Sequence, residues 1–333
     1  MRVLFWHVHG GYANSFLRGG HDYLVPVENG HEPGAALRDW PGARLVDAAA
    51  LHDEQIDVVV LQRLEEIDLV RTLTGRRPGI DVPAVFLEHN APRPRPESSP
   101  HPLGGQRDIP IVHVTHFNEM FWDCDGARTT VVEHGIPQPE ATYLGDLERI
   151  GVVINEPGRR RRVTGSDMLA AFAEEAPVDV FGIDAGDAVS GVGCGIHDAG
   201  NLDQHTLHER LARHRVYVHP YRWTSLGLSL LEAMMIGMPI VAVAATEMIR
   251  ALPPGAGIVS TELAELTRGA RAYLADPDLA AAAGAKARAH ALEHYGLERF
   301  LDRWDETLVD AVDSFTSRTR APRAQEPTEG VRR

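Results

Sequence analysis

The most constraining feature of this chain is a rhythm in which short apolar runs recur between longer amphipathic stretches. The runs fall first at 2–8, 57–61, 84–87, 111–114 and 130–132, then at 150–154, 178–181, 216–219 and 240–244. Parallel strands read as continuous Val/Ile/Leu runs because helices cover both faces of their sheet, whereas a half-solvated sheet alternates apolar and polar residues. The expected fold is therefore α/β, with two doubly wound parallel sheets and helices over segments such as 167–175, 207–214, 228–236 and 279–291. The expected organisation is an N-terminal Rossmann-like domain over 1–145 and a C-terminal one over 146–298. A closing helix over 299–317 follows, then a disordered polar tail over 318–333. The stripe Phe300, Leu301, Trp304, Leu308, Val312, Phe315 would let that helix pack back toward the N-terminal domain.

Composition removes several function classes. A net charge of −14 disfavours nucleic acid or an anionic membrane surface as a global partner. Two distant cysteines, Cys124 and Cys194, support neither a disulfide framework nor a cysteine zinc site. No run approaches the roughly 18 apolar residues of an integral membrane segment, and the apolar N-terminus is too brief for a signal peptide, so a cytoplasmic location is expected. The Pro-, Gly- and Ser-rich stretch 91–106 reads either as a solvated connection or as a lid or acceptor-binding loop.

Residues 216–244, VYVHPYRWTSLGLSLLEAMMIGMPIVAVA, carry the most information. They read as strand, glycine-containing loop, helix, Gly-x-Pro turn, strand. The helix over 228–236 is apolar nearly all round and should be buried, and an unpartnered buried carboxylate at Glu232 would be costly. Helical side chains lean toward the N-terminus, so Glu232 points back at a loop whose free N–H groups favour an anion. A nucleotide satisfies both features, with diphosphate on the amides near Ser225, Leu226 and Gly227 and ribose hydroxyls donating to Glu232. Pairing of Glu232 with a neighbouring arginine is the competing reading.

Other candidates sit after apolar strands. Arg159–Arg162 is a basic run following 150–154, where Arg159 or a neighbour such as Arg160 is expected to meet a diphosphate. Histidines follow strands repeatedly, at His7 and His9, His89, His116 and His134, as several polar groups converging on one site would. The His7/His9 spacing lacks an accompanying carboxylate, so no metal site is expected. Gly10-Gly11 after the first strand allows close backbone approach to phosphate or acceptor, and a plain turn explains the pair equally well.

Leu231-Glu232-Ala233-Met234 with Gly237-Met238-Pro239, the strand ending at His219-Pro220, the segment GAGIVS and the stretch 273–304 together resemble the retaining family-4 glycosyltransferases. That resemblance implies the GT-B fold, two Rossmann-like domains facing an interdomain crevice. It also implies transfer of a hexosyl-type sugar from a nucleotide diphosphate sugar to an acceptor hydroxyl, with retention and without a metal or other cofactor. The acceptor would be a glycan, glycolipid or small molecule. Site roles follow by resemblance: His89 on the donor sugar, Arg159 on the diphosphate, Glu232 on the ribose. The chain departs from the pattern at Thr224, where the family places a first glutamate against the donor sugar, and at Thr164, where it places a lysine on the diphosphate. Those departures motivate a rival reading, a catalytically degenerate nucleotide-sugar-binding partner. A nucleotide-sugar 2-epimerase is a further alternative with the same architecture.

Overall fold

The computed structural model describes residues 1–27, 40–93, 99–188 and 195–320. In chain order the first half contributes β1 (Arg2–Phe5), β2 (Asp22–Val27), β3 (Ala43–Asp47), β4 (Val58–Leu61), β5 (Ala84–Glu88), β6 (Ser99–Pro100), β7 (Ile111–His113), β8 (Trp122–Asp123) and β9 (Thr129–Val131). The second half contributes β10 (Leu147–Val153), β11 (Val178–Phe181), β12 (Ile196–Gly200), β13 (His214–His219), β14 (Ile240–Val243) and β15 (Gly257–Ser260). A seven-stranded sheet has the order β3-β2-β1-β4-β5-β7-β9, a six-stranded sheet the order β12-β11-β10-β13-β14-β15, and β6 pairs with β8 apart from both. Every pairing is parallel; Val3 meets Tyr23 and Val58, and Ile150 meets Val178 and Val216. Both large sheets are doubly wound, with switch points between β1 and β4 and between β10 and β13, where such sheets open a crevice at their carboxyl ends.

Helices cover the sheet faces. Val3, Phe5, Val58 and Val85 share a core with Tyr12 and Phe16 of the helix Gly10–Phe16 and with Phe300, Trp304 and Leu308 of the last helix, Leu297–Arg320. That helix thus belongs by packing to the first sheet, and Trp304 Nε1 donates to Tyr12 Oη at 2.8 Å. The chain returns to the first half where Ile136 N–H bonds the Tyr295 carbonyl at 3.0 Å.

Several element bounds differ from those expected. The first strand stops at Phe5, because Val8 N–H turns back to the Trp6 carbonyl at 3.0 Å and lifts His7 out of the sheet. The strand β2 escapes the pattern because it contains Pro26, which lies beyond the last β1 pairing at Leu4–Leu24 and faces only Val46 of β3. The segment expected to be helical over 207–214 is instead the helix Gln204–Leu211, capped where Asp203 accepts from Thr206 N–H at 3.0 Å, and His214 already belongs to β13. The last helix runs to Arg320. Of the tail expected to be disordered over 318–333, residues 318–320 are helical, and 321–333 lie outside the described residues, as do Cys194 and residues 94–98 of the Pro-rich stretch.

Candidate active site

The carboxyl ends of the two sheets face each other across a cleft of about 960 Å³. His7, His9, Gly10 and Gly11 line it from the first half, and Asn155, Arg160, Tyr221, Thr224, Gly227 and Glu232 from the second. An adjoining cavity of about 340 Å³ shares His9, Gly10, Gly11, Arg160 and Thr224 and adds His89, His134, Ser225 and Leu226. Gly10, Gly11, His89, Arg160, Thr224, Ser225, Leu226, Gly227 and Glu232 are thereby brought together. Arg159 is not: it lines neither cavity, and its guanidinium pairs with Glu156.

Backbone geometry decides which arginine of the run faces the cleft. Glu156 takes a left-handed conformation (φ 54°), and its carbonyl accepts from Arg160 N–H at 3.0 Å, closing a turn directly after β10. The turn leaves Arg159 outside on Glu156 and Arg161 exposed, and it sends Arg162 to Asp167 at 2.6 Å. Arg160 has no ion-pair partner among the described residues. Thr164 is fully buried and its hydroxyl turns back onto the Arg160 and Arg161 carbonyls, so it supports the loop from behind. Gly165 (φ 75°) permits this packing, since a Cβ there would lie 1.9 Å from the Pro220 carbonyl oxygen.

The helix Leu228–Ile236 starts at Gly227 with no side-chain cap; Leu230 N–H bonds the Gly227 carbonyl at 3.1 Å, and the N–H groups ahead of it are the ones placed to meet an anion. A Cβ at Gly227 would come 2.8 Å from His219 Cε1, a ring buried in the sheet. The interior of the helix is apolar except for Glu232, which is 9% exposed and reaches the cleft. Its partners are not arginines: Gln204 Nε2 donates to Oε1 at 2.8 Å, and His208 Nε2 lies 3.4 Å from Oε2 without hydrogen-bond alignment. Both partners come from the helix Gln204–Leu211 alongside.

Across the cleft, Gln62 fixes His89. The Gln62 amide donates from Nε2 to the Trp6 carbonyl at 2.6 Å, which turns Oε1 to the His89 Nε2 at 3.0 Å. With that proton on Nε2, Nδ1 is the acceptor nitrogen of a neutral ring. Burial, and then the neighbouring His9 and His134, hold the His89 pKa well below 6.5, so the ring is uncharged at neutral pH. His9 and Tyr12 stand edge-on to it at 4.3 and 4.7 Å between ring centroids. Gly11 packs against the opposite half, since a Cβ there would lie 2.8 Å from Leu228 Cδ1, while a Cβ at Gly10 would meet the His7 ring at 3.9 Å. The Ser225 hydroxyl donates to the His89 carbonyl and accepts from Asn118 Nδ2 at 3.0 Å, which commits this side chain to holding the halves together. Gln62, Asn118, Asn155 and Gln204 belong to no motif, and only the tertiary fold brings them to the site.

Among the described residues no group of three or more His, Cys, Asp or Glu could hold a metal. His7 instead faces Trp40 at 5.5 Å. No described helix is long and apolar enough to cross a membrane.

Residues 155–306 match the model of a family described as glycosyl transferase-like. No curated protein matches the chain. Among solved structures, sucrose-phosphate synthase (tll1590) from Thermosynechococcus elongatus superposes with a TM-score of 0.72 at 14% identity, over 94% of this chain and 100% of that one. HepE (Alr3699) from Anabaena, solved with UDP-glucose, gives 0.70 at 16% identity over 93% and 100%. AviGT4, a glycosyltransferase involved in avilamycin A biosynthesis, gives 0.60 at 14% identity over 94% and 98%. At these identities the likeness is one of fold: two Rossmann-like domains facing a crevice, the GT-B arrangement.

Proposed function

We propose that the protein is a retaining, metal-independent glycosyltransferase that moves a hexosyl-type sugar from a nucleotide diphosphate sugar to an acceptor hydroxyl. The observation that carries this reading is the convergence, on one crevice, of an uncapped helix N-terminus, an arginine without an ion-pair partner among the described residues and a carboxylate on the otherwise apolar buried part of that helix. The glycosyl transferase-like match over 155–306 supports it, as does the GT-B fold shared with HepE, which is solved with UDP and with UDP-glucose.

In this reading the diphosphate lies on Arg160 and the amides near Ser225, Leu226 and Gly227, while Glu232 accepts the ribose hydroxyls. The sugar reaches the smaller cavity beside His89. The acceptor oxygen attacks the anomeric carbon on the face the diphosphate leaves, the bond from that carbon to the phosphate oxygen breaks, and the departing phosphate oxygen takes the acceptor proton. No protein nucleophile is needed. Charge building on the leaving diphosphate meets preorganised donors in the cleft. A neutral His89 offers Nδ1 to a sugar hydroxyl and adds no positive charge beside a carbon that itself becomes electron-poor. Thr224 replaces the family carboxylate near the sugar with a shorter neutral hydroxyl, which bears on donor choice and favours a pure nucleotide-sugar binder as the second reading.

Calorimetry with UDP, GDP and ADP, followed by turnover of the matching sugar donors, tests the proposal. One nucleoside diphosphate should bind selectively, and Glu232→Gln should weaken it about tenfold, because hydrogen bonds to a charged group contribute roughly 1.5–3 kcal/mol. Release of free nucleoside diphosphate from its sugar should persist in excess chelator. Binding without release identifies the pure binder, and loss of turnover on chelation contradicts the metal-free site.

A further inference from the structure

A third cavity, about 380 Å³, opens farther along the same crevice. Glu133 and His134 enter it from the carboxyl end of β9, Arg250 from the short helix after β14, and Arg299 and Arg303 from the last helix. In a chain of net charge −14, three guanidinium groups line this one space with a single carboxylate, Glu133. Arg250 lies 3.2 Å from Glu133 Oε1 and 3.3 Å from Glu247 Oε1, the latter buried behind it. Arg299 approaches Glu133 Oε2 only to 4.0 Å, and Arg303 bonds Glu306 on its own helix at 2.5 Å. Each guanidinium carries five N–H donors, so these contacts leave most of the donors for another acceptor.

His134 is the partition. It lines both this cavity and the adjoining one that holds His9, His89 and Thr224, and its Nδ1 is buried without a hydrogen-bond partner. A group seated among the arginines therefore lies one imidazole away from where the proposed function puts the transferring sugar. Guanidinium forks match the oxygens of phosphate and carboxylate, so the donors left over by these ion pairs suit an anionic occupant.

We propose that this cavity receives the charged end of the acceptor, so that the acceptor class is a hydroxyl compound carrying a phosphate or carboxylate. The inference rests on the donor reading above for the direction of transfer, but the anion site itself stands on the arginines alone. The anion has two sources, a soluble sugar phosphate or an anionic lipid headgroup.

The test uses the full chain saturated with the nucleoside diphosphate that binds best, so that the diphosphate site is filled. Inorganic phosphate is titrated by calorimetry into the wild type and into the double variant Arg299→Gln/Arg303→Gln. The variant should bind phosphate about tenfold or more weakly, since charge-assisted bidentate contacts are removed, while its nucleoside diphosphate affinity stays at the wild-type value. Binding of glucose 6-phosphate but not glucose assigns the anion to a soluble acceptor. Binding of phosphatidylcholine vesicles only when they contain phosphatidylinositol assigns it to a lipid. Equal phosphate affinity in both proteins, or none in the wild type, overturns the proposal. Absence of nucleotide binding overturns the donor reading instead, and the phosphate titration on the unliganded protein still decides the anion site.

Discussion

Arg159 and Arg160 are neighbours in sequence with opposite fates, one held by Glu156 outside the site and the other facing the cleft. Arg160→Ala should weaken nucleoside diphosphate binding by about tenfold, the scale of one lost charge-assisted contact, while Arg159→Ala should change it little. Thr224→Ala should leave free nucleoside diphosphate affinity unaltered and shift turnover or donor preference; calorimetry paired with donor turnover reads all three variants. Equal losses at positions 159 and 160 would mean that the loop re-forms on binding. The run itself was legible in the sequence, but which member faces inward depends on the left-handed turn at Glu156, and nothing in a row of arginines reports that. Glu232 was legible because a carboxylate stands out in an apolar helix; its partners Gln204 and His208, drawn from another helix, were not. Buried histidines also make a pH prediction. Burial pushes the His134 pKa down from 6.5 to about 4 and those of His113 and His219 to about 3. Between these values the unfolded chain binds more protons than the native one. The stability is therefore complete above the unfolded value and falls as pH drops toward 4, by up to about 1.4 kcal/mol per pH unit per histidine. Urea unfolding between pH 7 and 4.5 should show this loss, and a midpoint constant across that window would contradict the neutral buried rings.

At the scale of elements, the helix Leu228–Ile236 carries the site because its two ends are set by different constraints. Gly237 closes it in a left-handed conformation (φ 96°), and Gly227 opens it without a cap, against His219. Gly227→Ala keeps an allowed backbone but forces a methyl group onto a fixed ring, an overpacking that costs about 1–3 kcal/mol and displaces the first-turn amides. Its urea midpoint and its nucleoside diphosphate affinity should fall together; an unchanged affinity would remove those amides from the diphosphate site. Both ends of this helix were readable from the sequence, because glycine and the Gly-x-Pro turn punctuate it. Edge strands were less so: β12, IHDAG, is half exposed and polar, and β3, ARLVD, buries only Val46 fully, so neither presents the apolar run of an inner strand.

For the whole molecule, the last helix does the joining, since the chain leaves the second half and buries Phe300, Trp304 and Leu308 in the core of the first. Trp304→Ala empties a fully buried site and removes the donor to Tyr12, which stands beside His89, and should cost about 3–5 kcal/mol of stability. A thermal melt reads that loss, and a wild-type midpoint would show that the helix is not part of this core. The doubly wound plan was legible because buried parallel strands announce themselves, whereas the bonds that hold the halves across the crevice were not. Ser225 to His89, Trp223 to Pro92 and Glu247 to Phe117 each join residues more than a hundred positions apart. The most direct measurement is a structure of the protein with its best-binding nucleoside diphosphate. Diphosphate oxygens should lie on Arg160 and the amides at 225–228, with the ribose on Glu232; a diphosphate on Arg159, or a nucleotide outside the crevice, would overturn the site assignment.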